Sequence, residues 1–402
     1  MNPRGISRLA AAGVVFVGIA AAATMATAGE PGGDGTLKWQ FNTGAYIQGS
    51  PTLAADGTIY IGSGPPVDKL FALSPAGKVK WTFQTKAKNL WITPAIAADG
   101  TIYLCGGAEN CLYAITPDGK KKWRFQAKGD GRADTSPTIG PDGTIYFAAN
   151  KEAEVKEYHF YAINPDGTEK WDVRTSGCTD ACPAVGRDGT IYLHLWNGQL
   201  RAIGPDGKTK WVYRDRYGSW SSPAVGDDGT IYCGFGGAKL VALSAEGKRK
   251  WSFQANGGIS SSPAVAADGT VYFSSGKKPR DGKLYAVRPD GSEKWSFPTG
   301  GGCSSPTLAA DGTVLVGGTP GRLFAIGPDG KKKWALKLEG SVFSAPGLAP
   351  DGTVYISCGD GTLSAVRFGG GPALRQWPTF CADQRRTGRQ RRRAPRAAPA
   401  IR

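Results

Sequence analysis

Short runs of hydrophobic residues recur along almost the whole chain, and each run is followed by a polar turn at a nearly constant spacing. One complete unit reads Ser-Pro-Thr-Leu-Ala-Ala-Asp-Gly-Thr-Ile-Tyr at residues 50–60, Leu-Phe-Ala-Leu at 70–73 and Gly-Lys-Val-Lys-Trp at 77–81. An internal repeat of this kind determines the architecture before any other signal does. The first turn of each unit begins at Asp56, Asp99, Asp142, Asp188, Asp228, Asp268, Asp311 and Asp351.

Within each unit the hydrophobic pattern predicts four short strands. The Ser-Pro run forms the first strand, and an Asp-Gly turn leads to a β-branched and aromatic second strand such as Thr-Ile-Tyr. A third strand such as residues 112–115 and a fourth such as 122–125 flank a second Asp-Gly turn. Four strands in roughly 40 to 45 residues are typical of a propeller blade. We therefore predict an all-β fold, an eight-bladed β-propeller of four-stranded antiparallel blades.

A tryptophan occupies the fourth strand of each unit and is predicted to wedge between neighbouring blades, because a buried indole contributes a large apolar surface. A lysine precedes every one of these tryptophans. On an outer strand such a lysine is interpreted as protection against edge-to-edge pairing rather than as a binding site. The eight tryptophans are Trp39, Trp81, Trp123, Trp171, Trp211, Trp251, Trp295 and Trp334.

The repeat is circularly permuted relative to the chain ends. The segment 35–39 has the glycine-to-tryptophan spacing of a fourth strand but has no blade in front of it. The last repeat breaks into Gly-Gly-Gly-Pro at 369–372, and Leu374 stands where its tryptophan belongs. We predict that the Trp39 strand completes the last blade and closes the ring. The alternative is a C-terminal strand around Trp377.

The two ends of the chain differ from the repeats. Residues 1–28 are typical of a secretory signal peptide, with Arg4 and Arg8 before an apolar run and Ala-Thr-Ala at 26–28. An uncleaved membrane anchor is the alternative, although the alanine-rich run is weakly hydrophobic for a membrane span. The predicted mature chain is soluble and exported, to the periplasm or the extracellular space. Residues 29–376 form the propeller, and 377–402 form a C-terminal extension with a disordered arginine-rich tail.

That tail holds much of the formal net charge of +16, with eight arginines and no acidic residue from Arg385 onward. The folded domain is therefore only mildly basic. We expect at most a weak contact of the tail with an anionic surface, and no specific nucleic acid partner.

The eight cysteines suit an oxidising compartment. Cys105 and Cys111 flank a five-residue loop, and Cys178 and Cys182 lie four apart. Both pairs are candidate disulfides. A zinc site is not expected, because no histidine accompanies either pair and zinc takes four ligands.

The repeat of Ser-Pro-Ala-Val, Asp-Gly-Thr-Ile-Tyr, Leu-Tyr-Ala-Ile and Asp-Gly-Lys-Lys-Lys-Trp resembles the pyrroloquinoline-quinone-like (PQQ-like) propeller repeat. The family's tryptophan-docking motif appears between Ala72 and Trp81 with its turn rewritten. The resemblance implies one of two branches: quinoprotein dehydrogenases that oxidise alcohols or sugars with quinone and calcium, or non-catalytic propellers of outer-membrane assembly. The chain is closer to the second.

Features of the dehydrogenase branch are missing from the sequence. No vicinal Cys-Cys pair and no Cys-x-x-Cys-His haem site occurs, and the repeats are unusually regular. We therefore expect no enzymatic activity, no cofactor and no metal. The alternative is a small PQQ- and calcium-dependent dehydrogenase in which Trp196 or Trp220 stacks on the quinone and Asp134 or Asp180 acts as base.

The favoured hypothesis is an exported, monomeric, non-enzymatic scaffold that binds a partner protein or an envelope ligand. Its binding face is predicted on the loops that enter the first strands and on the neighbouring hairpin loops, which rise on one side of a propeller. Exposed aromatic residues and arginine at a funnel mouth are typical anchors of an interface. The candidates are Trp91, Arg132, Asp134, Asp180, Trp196, Tyr217, Trp220 and Phe343.

Overall fold

The computed structural model describes residues 35–87, 90, 92–129, 131–150, 158–276, 281–301 and 304–369. These residues form eight four-stranded antiparallel sheets, which confirms the predicted eight-bladed propeller. No helix that could cross a membrane occurs among them. The predicted signal peptide, Trp377 and the arginine-rich tail lie outside the described residues.

Each blade contributes one very short strand to the propeller axis, where first strands of neighbouring blades meet. These first strands are β2 (Thr52–Leu53), β6 (Ala95–Ile96), β10 (Thr138–Ile139), β14 (Ala184–Val185), β18 (Ala224–Val225), β22 (Ala264–Val265), β26 (Thr307–Leu308) and β30 (Gly347–Leu348).

The second and third strands of each blade are largely buried on both faces, since another blade covers each side. The second strands are β3 (Ile59–Ser63), β7 (Ile102–Cys105), β11 (Ile145–Asn150), β15 (Ile191–His194), β19 (Ile231–Phe235), β23 (Val271–Ser275), β27 (Val314–Gly318) and β31 (Thr353–Ser357). The third strands are β4 (Lys69–Leu73), β8 (Cys111–Ile115), β12 (Tyr158–Ile163), β16 (Gln199–Ile203), β20 (Lys239–Leu243), β24 (Gly282–Val287), β28 (Arg322–Ile326) and β32 (Thr362–Arg367).

The outer strands alternate exposed and half-buried residues, as expected of strands with one solvated face. They are β5 (Val79–Gln84), β9 (Lys121–Gln126), β13 (Glu169–Thr175), β17 (Thr209–Arg214), β21 (Arg249–Gln254), β25 (Glu293–Gly300), β29 (Lys332–Lys337) and, for the last blade, β1 (Leu37–Asn42). Blade 1 runs from β2 to β5, and blade 8 contains β30, β31, β32 and β1. Hydrophobic clusters fill the interfaces between neighbouring blades, so the core is a ring rather than a single centre.

The N-terminal strand closes this ring, as the spacing predicted. Strand β1 pairs antiparallel with β32, with Trp39 opposite Ala365 and Phe41 opposite Leu363. Beyond the ladder, the Thr43 N–H donates to the carbonyl of Gly361 at 2.9 Å. The last blade is therefore built from both ends of the described chain.

The tryptophans join neighbouring blades, which confirms their predicted place. Each indole ring lies on the glycine two residues before the outer strand of the next blade, which in blades 1 to 7 belongs to the second Asp-Gly-type turn, and a methyl group on that glycine would lie 2.6 to 3.1 Å from the ring. Among the described residues, seven indole N–H groups also donate to a carbonyl of that turn, at 2.7 to 3.0 Å. The pairs are Trp39 on Gly77, Trp81 on Gly119, Trp123 on Gly167, Trp171 on Gly207, Trp211 on Gly247, Trp251 on Gly291, Trp295 on Gly330 and Trp334 on Gly35.

The lysine before each tryptophan has a local partner that the sequence analysis did not identify. Lys80 reaches the first turn of its own blade, with its ammonium 3.3 Å from Asp56 and 2.7 Å from the Thr58 hydroxyl. The same contact with aspartate recurs in all eight blades. Burial alone would raise the pKa of the Asp56 carboxyl. Hydrogen bonds from Thr58 and Lys80 outweigh burial and hold this pKa below its ordinary value. The aspartates therefore serve turns, and the lysines' role in preventing edge pairing stays a prediction.

The structure contradicts both disulfides suggested by the cysteine spacing. Cys105 and Cys111 are buried thiols, and Cys105 lies opposite Leu112 in the ladder between β7 and β8. Because side chains alternate along a strand, the two thiols occupy opposite faces of the blade, one packed toward blade 3 and the other toward blade 1. Cys182 is disulfide-bonded, but Cys178 keeps its thiol and is not the partner.

Candidate functional site: the loop face and its funnel

The loops that enter the first strands contact the hairpin loops between second and third strands. The Trp196 N–H donates to the Cys178 carbonyl at 2.9 Å, and the Gly64 N–H donates to the Tyr46 carbonyl at 3.0 Å. Both loop types therefore lie on one side of the propeller, which we call the loop face. The Asp-Gly turns connect the opposite ends of the strands.

A cavity of about 390 Å³ opens along the propeller axis on the loop face. Five of the eight predicted binding residues line it, although they come from four different loops of the chain. We call this space the funnel cavity. Its lining includes the predicted Arg132, Asp134, Asp180, Trp220 and Phe343, together with Gln48, Gly49, Ser50, Ile92, Thr93, Ser136, Ser260, Ser305 and Ala345.

Two further predicted residues lie on the loop face, outside the cavity lining. Trp196 contacts Trp220 edge to face, with ring centroids 6.1 Å apart. The guanidinium of Arg216 lies over the Tyr217 ring, 5.2 Å from its centroid. Their side chains are 43% exposed for Trp196, 48% for Tyr217 and 56% for Trp220. These three aromatic residues are therefore not buried between blades. Trp91, the eighth candidate, lies outside the described residues.

Tyr46 is an exposed aromatic residue that the sequence analysis missed. It is 38% exposed, and its ring packs so closely on Gly359 that a methyl group there would lie 3.0 Å from it. Phe343 approaches the same glycine from the neighbouring loop. Tyr46 lies on a loop that leads into a first strand, as Trp220 does. Its position in the repeat is therefore the sequence signal by which it could have been predicted. We call Tyr46, Trp196, Tyr217 and Trp220 the aromatic rim.

The charged residues that line the funnel cavity are Arg132, Asp134 and Asp180, and the first two form an ion pair. The Arg132 guanidinium donates to both oxygens of Asp134, with Nε–Oδ2 at 2.6 Å and Nη2–Oδ1 at 3.4 Å. A forked contact of this kind fixes the planes of both groups. Asp180 is an exposed carboxylate on the loop that enters blade 4. The lining thus holds one cation and two anions.

A ring of hydroxyl groups surrounds the axis at the residue that precedes each first-strand proline. The backbone N–H of this residue donates to the side-chain oxygen of the equivalent residue in the next blade, so the ring also ties blade to blade. The bonds run from Ser50 to Thr93, Thr93 to Ser136, Cys182 to Ser222, Ser222 to Ser262, Ser262 to Ser305 and Ala345 to Ser50, at 2.9 to 3.1 Å. Hydroxyls are missing only at Cys182 and Ala345, which replace serine or threonine. We call the six hydroxyl-bearing residues the hydroxyl ring.

His194 does not line the funnel cavity. It is fully buried between blades 4 and 5, where its Nδ1 lies 3.0 Å from the Ser221 carbonyl and its ring meets Phe235 edge to face. Burial lowers the pKa of His194 to about 4, so the imidazole is neutral at ordinary pH. A fully enclosed neutral imidazole has no access to a substrate, and its role is structural.

The side chains of the funnel cavity do not fit the calcium that accompanies the quinone in the dehydrogenases of this fold family. Calcium takes six to eight oxygen ligands, several of them carboxylates, whereas Asp134 is already engaged by Arg132. In the described ranges, no group of three or more histidine, cysteine, aspartate or glutamate residues could hold a metal. Cys182 is committed to a disulfide. The dehydrogenase alternative therefore lacks a metal site among these residues.

Comparison with known proteins identifies relatives of the fold and of the repeat. In three-dimensional structure the chain is similar to BamB from Moraxella catarrhalis, with a TM-score of 0.66 and 16% identity over 85% of this chain and 99% of that one. It is also similar to a europium-containing methanol dehydrogenase, with a TM-score of 0.68 and 15% identity over 80% and 84% of the two chains. A quinohemoprotein alcohol dehydrogenase from Comamonas testosteroni gives a TM-score of 0.66 and 16% identity over 85% and 78%. At these identities the likeness shows the fold alone.

Comparison by sequence, unlike comparison by structure, identifies the family. No curated protein matches the chain in sequence. The repeat pattern of the family described as outer membrane protein assembly factor BamB matches residues 25–151, 68–217, 137–278, 214–303 and 280–387, in overlapping segments that span the propeller. The chain therefore belongs to this family of PQQ-like propellers.

Proposed function

We propose that this chain is an exported, non-enzymatic scaffold of the cell envelope that binds a partner protein or ligand on its loop face. The observation that carries the proposal is the exposure of the aromatic rim beside the funnel cavity. Large apolar side chains left in water, next to a forked arginine–carboxylate pair, are the composition of interface anchors. The BamB family match supports an envelope role and a protein partner.

We propose further that the functional protein contains neither a quinone nor calcium. It is supported by the lining of the funnel cavity, in which Arg132 engages Asp134 and the hydroxyl ring serves the blade interfaces. The structural likeness to alcohol dehydrogenases shows a shared propeller and leaves the dehydrogenase as the competing candidate.

A charged side chain in place of Trp220 is expected to weaken partner binding strongly. We predict that Trp220→Asp reduces co-purification of a partner protein at least tenfold, because the substitution places a carboxylate at the centre of the apolar anchor. Stability is expected to change little, since Trp220 is largely exposed. Quantitative mass spectrometry of proteins captured by the tagged chain measures the effect, and thermal unfolding checks the fold.

Val79→Asp is the matched control. Val79 is also an exposed apolar residue, 46% accessible, but it lies on the outer strand β5. We expect this variant to retain the partner. Loss of the partner in Val79→Asp with retention in Trp220→Asp would contradict loop-face binding and favour binding along a blade edge.

A further inference from the structure

We infer that the funnel cavity is a binding site for a neutral saccharide, such as a sugar ring of an envelope glycan. The inference rests on the proposed function of the loop face and names the ligand class that its deepest part accepts. It is drawn from the chemistry of the hydroxyl ring, the charges beside it and the indole at the cavity wall.

The hydroxyl ring has hydrogen-bonding capacity to spare. Each of its six oxygens accepts one backbone N–H, and in the part of the chain that the structure describes none of the six hydroxyls donates a hydrogen bond to protein. A hydroxyl has one proton and two lone pairs. Each therefore keeps one proton and one lone pair, and Ser50, Thr93, Ser136 and Ser305 face the cavity.

Groups that both donate and accept match a ligand whose own groups do the same. Sugar hydroxyls have this property, whereas a carboxylate or a phosphodiester only accepts and an ammonium only donates. Gln48 adds an amide, which also both donates and accepts, to the same lining.

The charges of the lining disfavour ionic ligands. Asp134 and Asp180 repel an anion, while Arg132 is already neutralised by Asp134 at 2.6 Å. A cation would have to share Asp134 with the guanidinium of Arg132. A neutral polar ligand incurs neither cost.

The aromatic wall supplies the remaining element of sugar recognition. Trp220 lines the cavity with a largely exposed indole, and Trp196 supports it edge to face at 6.1 Å. An exposed indole face provides a broad apolar surface for the C–H face of a sugar ring, and its polar edge stays hydrated. A volume of about 390 Å³ falls within the range of small-ligand sites.

Isothermal titration calorimetry of the purified protein with a panel of neutral saccharides tests this inference. The panel contains glucose, galactose, mannose, N-acetylglucosamine, diacetylchitobiose, maltose and cellobiose, with sodium sulfate and calcium chloride as ionic probes. We expect saturable binding of at least one saccharide, weakened at least tenfold in Trp220→Ala and at least threefold in Ser136→Ala. Val79→Ala, on the outer strand, is expected to leave the affinity unchanged.

The outcomes separate this inference from the proposed function. Saturable binding of sulfate or calcium without any saccharide would overturn it, and so would the absence of any saccharide that binds with a dissociation constant of about 1 mM or tighter. Equal saccharide affinity in Trp220→Ala would overturn the assigned site. If Trp220→Asp loses a protein partner while no saccharide binds, the loop-face proposal stands and the saccharide inference falls.

Discussion

Removal of the closing strand is expected to abolish cooperative unfolding of the propeller. A chain that begins at Thr43 lacks β1, and with it the ladder to β32, the Trp39 contact with blade 1 and the buried ring of Phe41. The deletion also leaves the edge of β32 unpaired, and an unpaired inner strand is a site of intermolecular pairing. We expect a loss of the sharp thermal transition and a shift to oligomers, measured by circular dichroism and size-exclusion chromatography.

The control for this deletion is a chain that begins at Gly29, the predicted mature start. It keeps β1 and is expected to unfold cooperatively as a monomer. If the chain that begins at Thr43 were instead monomeric with an unchanged transition, β1 would be dispensable. The rival strand around Trp377 would then be the candidate for closing the ring.

Addition of one methyl group at a tryptophan-covered turn is expected to have the second largest effect. In Gly247→Ala the new methyl would lie 2.6 Å from the ring of Trp211, and the backbone has φ of +79°. The left-handed conformation costs about 1–2 kcal/mol for a residue other than glycine, and overpacking adds about 1–3 kcal/mol. We expect the free energy of unfolding in denaturant to fall by roughly 2–5 kcal/mol.

Gly229→Ala separates these two contributions. Gly229 lies in the first turn of the same blade with φ of +80°, and a methyl group there meets no atom within 4 Å. This variant is expected to lose only the conformational part, about 1–2 kcal/mol. Equal losses in both variants would mean that the indole contact does not tie blade 5 to blade 4.

The repeat made the architecture predictable from the sequence. Strand alternation, Asp-Gly turns and regular spacing are local signals, and their period indicates both the blade and the number of blades. Closure by the Trp39 strand was also predictable, because the orphan segment 35–39 has the spacing that the last repeat lacks.

The site was only partly predictable, because its contacts join residues about 40 positions apart. Position within the repeat placed Trp220 and Asp134 at the funnel cavity. The hydroxyl ring was missed although every Ser-Pro or Thr-Pro is visible in the sequence, since each bond crosses a blade interface. The predicted link between Cys105 and Cys111 was wrong for a related reason: nearness in sequence does not place two side chains on one face of a sheet.

We propose that the loop face binds its partner without redox chemistry. The decisive experiment is a titration of the purified mature protein with pyrroloquinoline quinone in the presence of calcium. Binding is followed by absorbance, and dye-linked oxidation of alcohols and sugars is measured in the same samples. We predict no saturable quinone binding and no turnover above the protein-free rate. Stoichiometric quinone binding with turnover that is lost in Asp134→Asn would contradict the non-enzymatic scaffold and establish the dehydrogenase alternative.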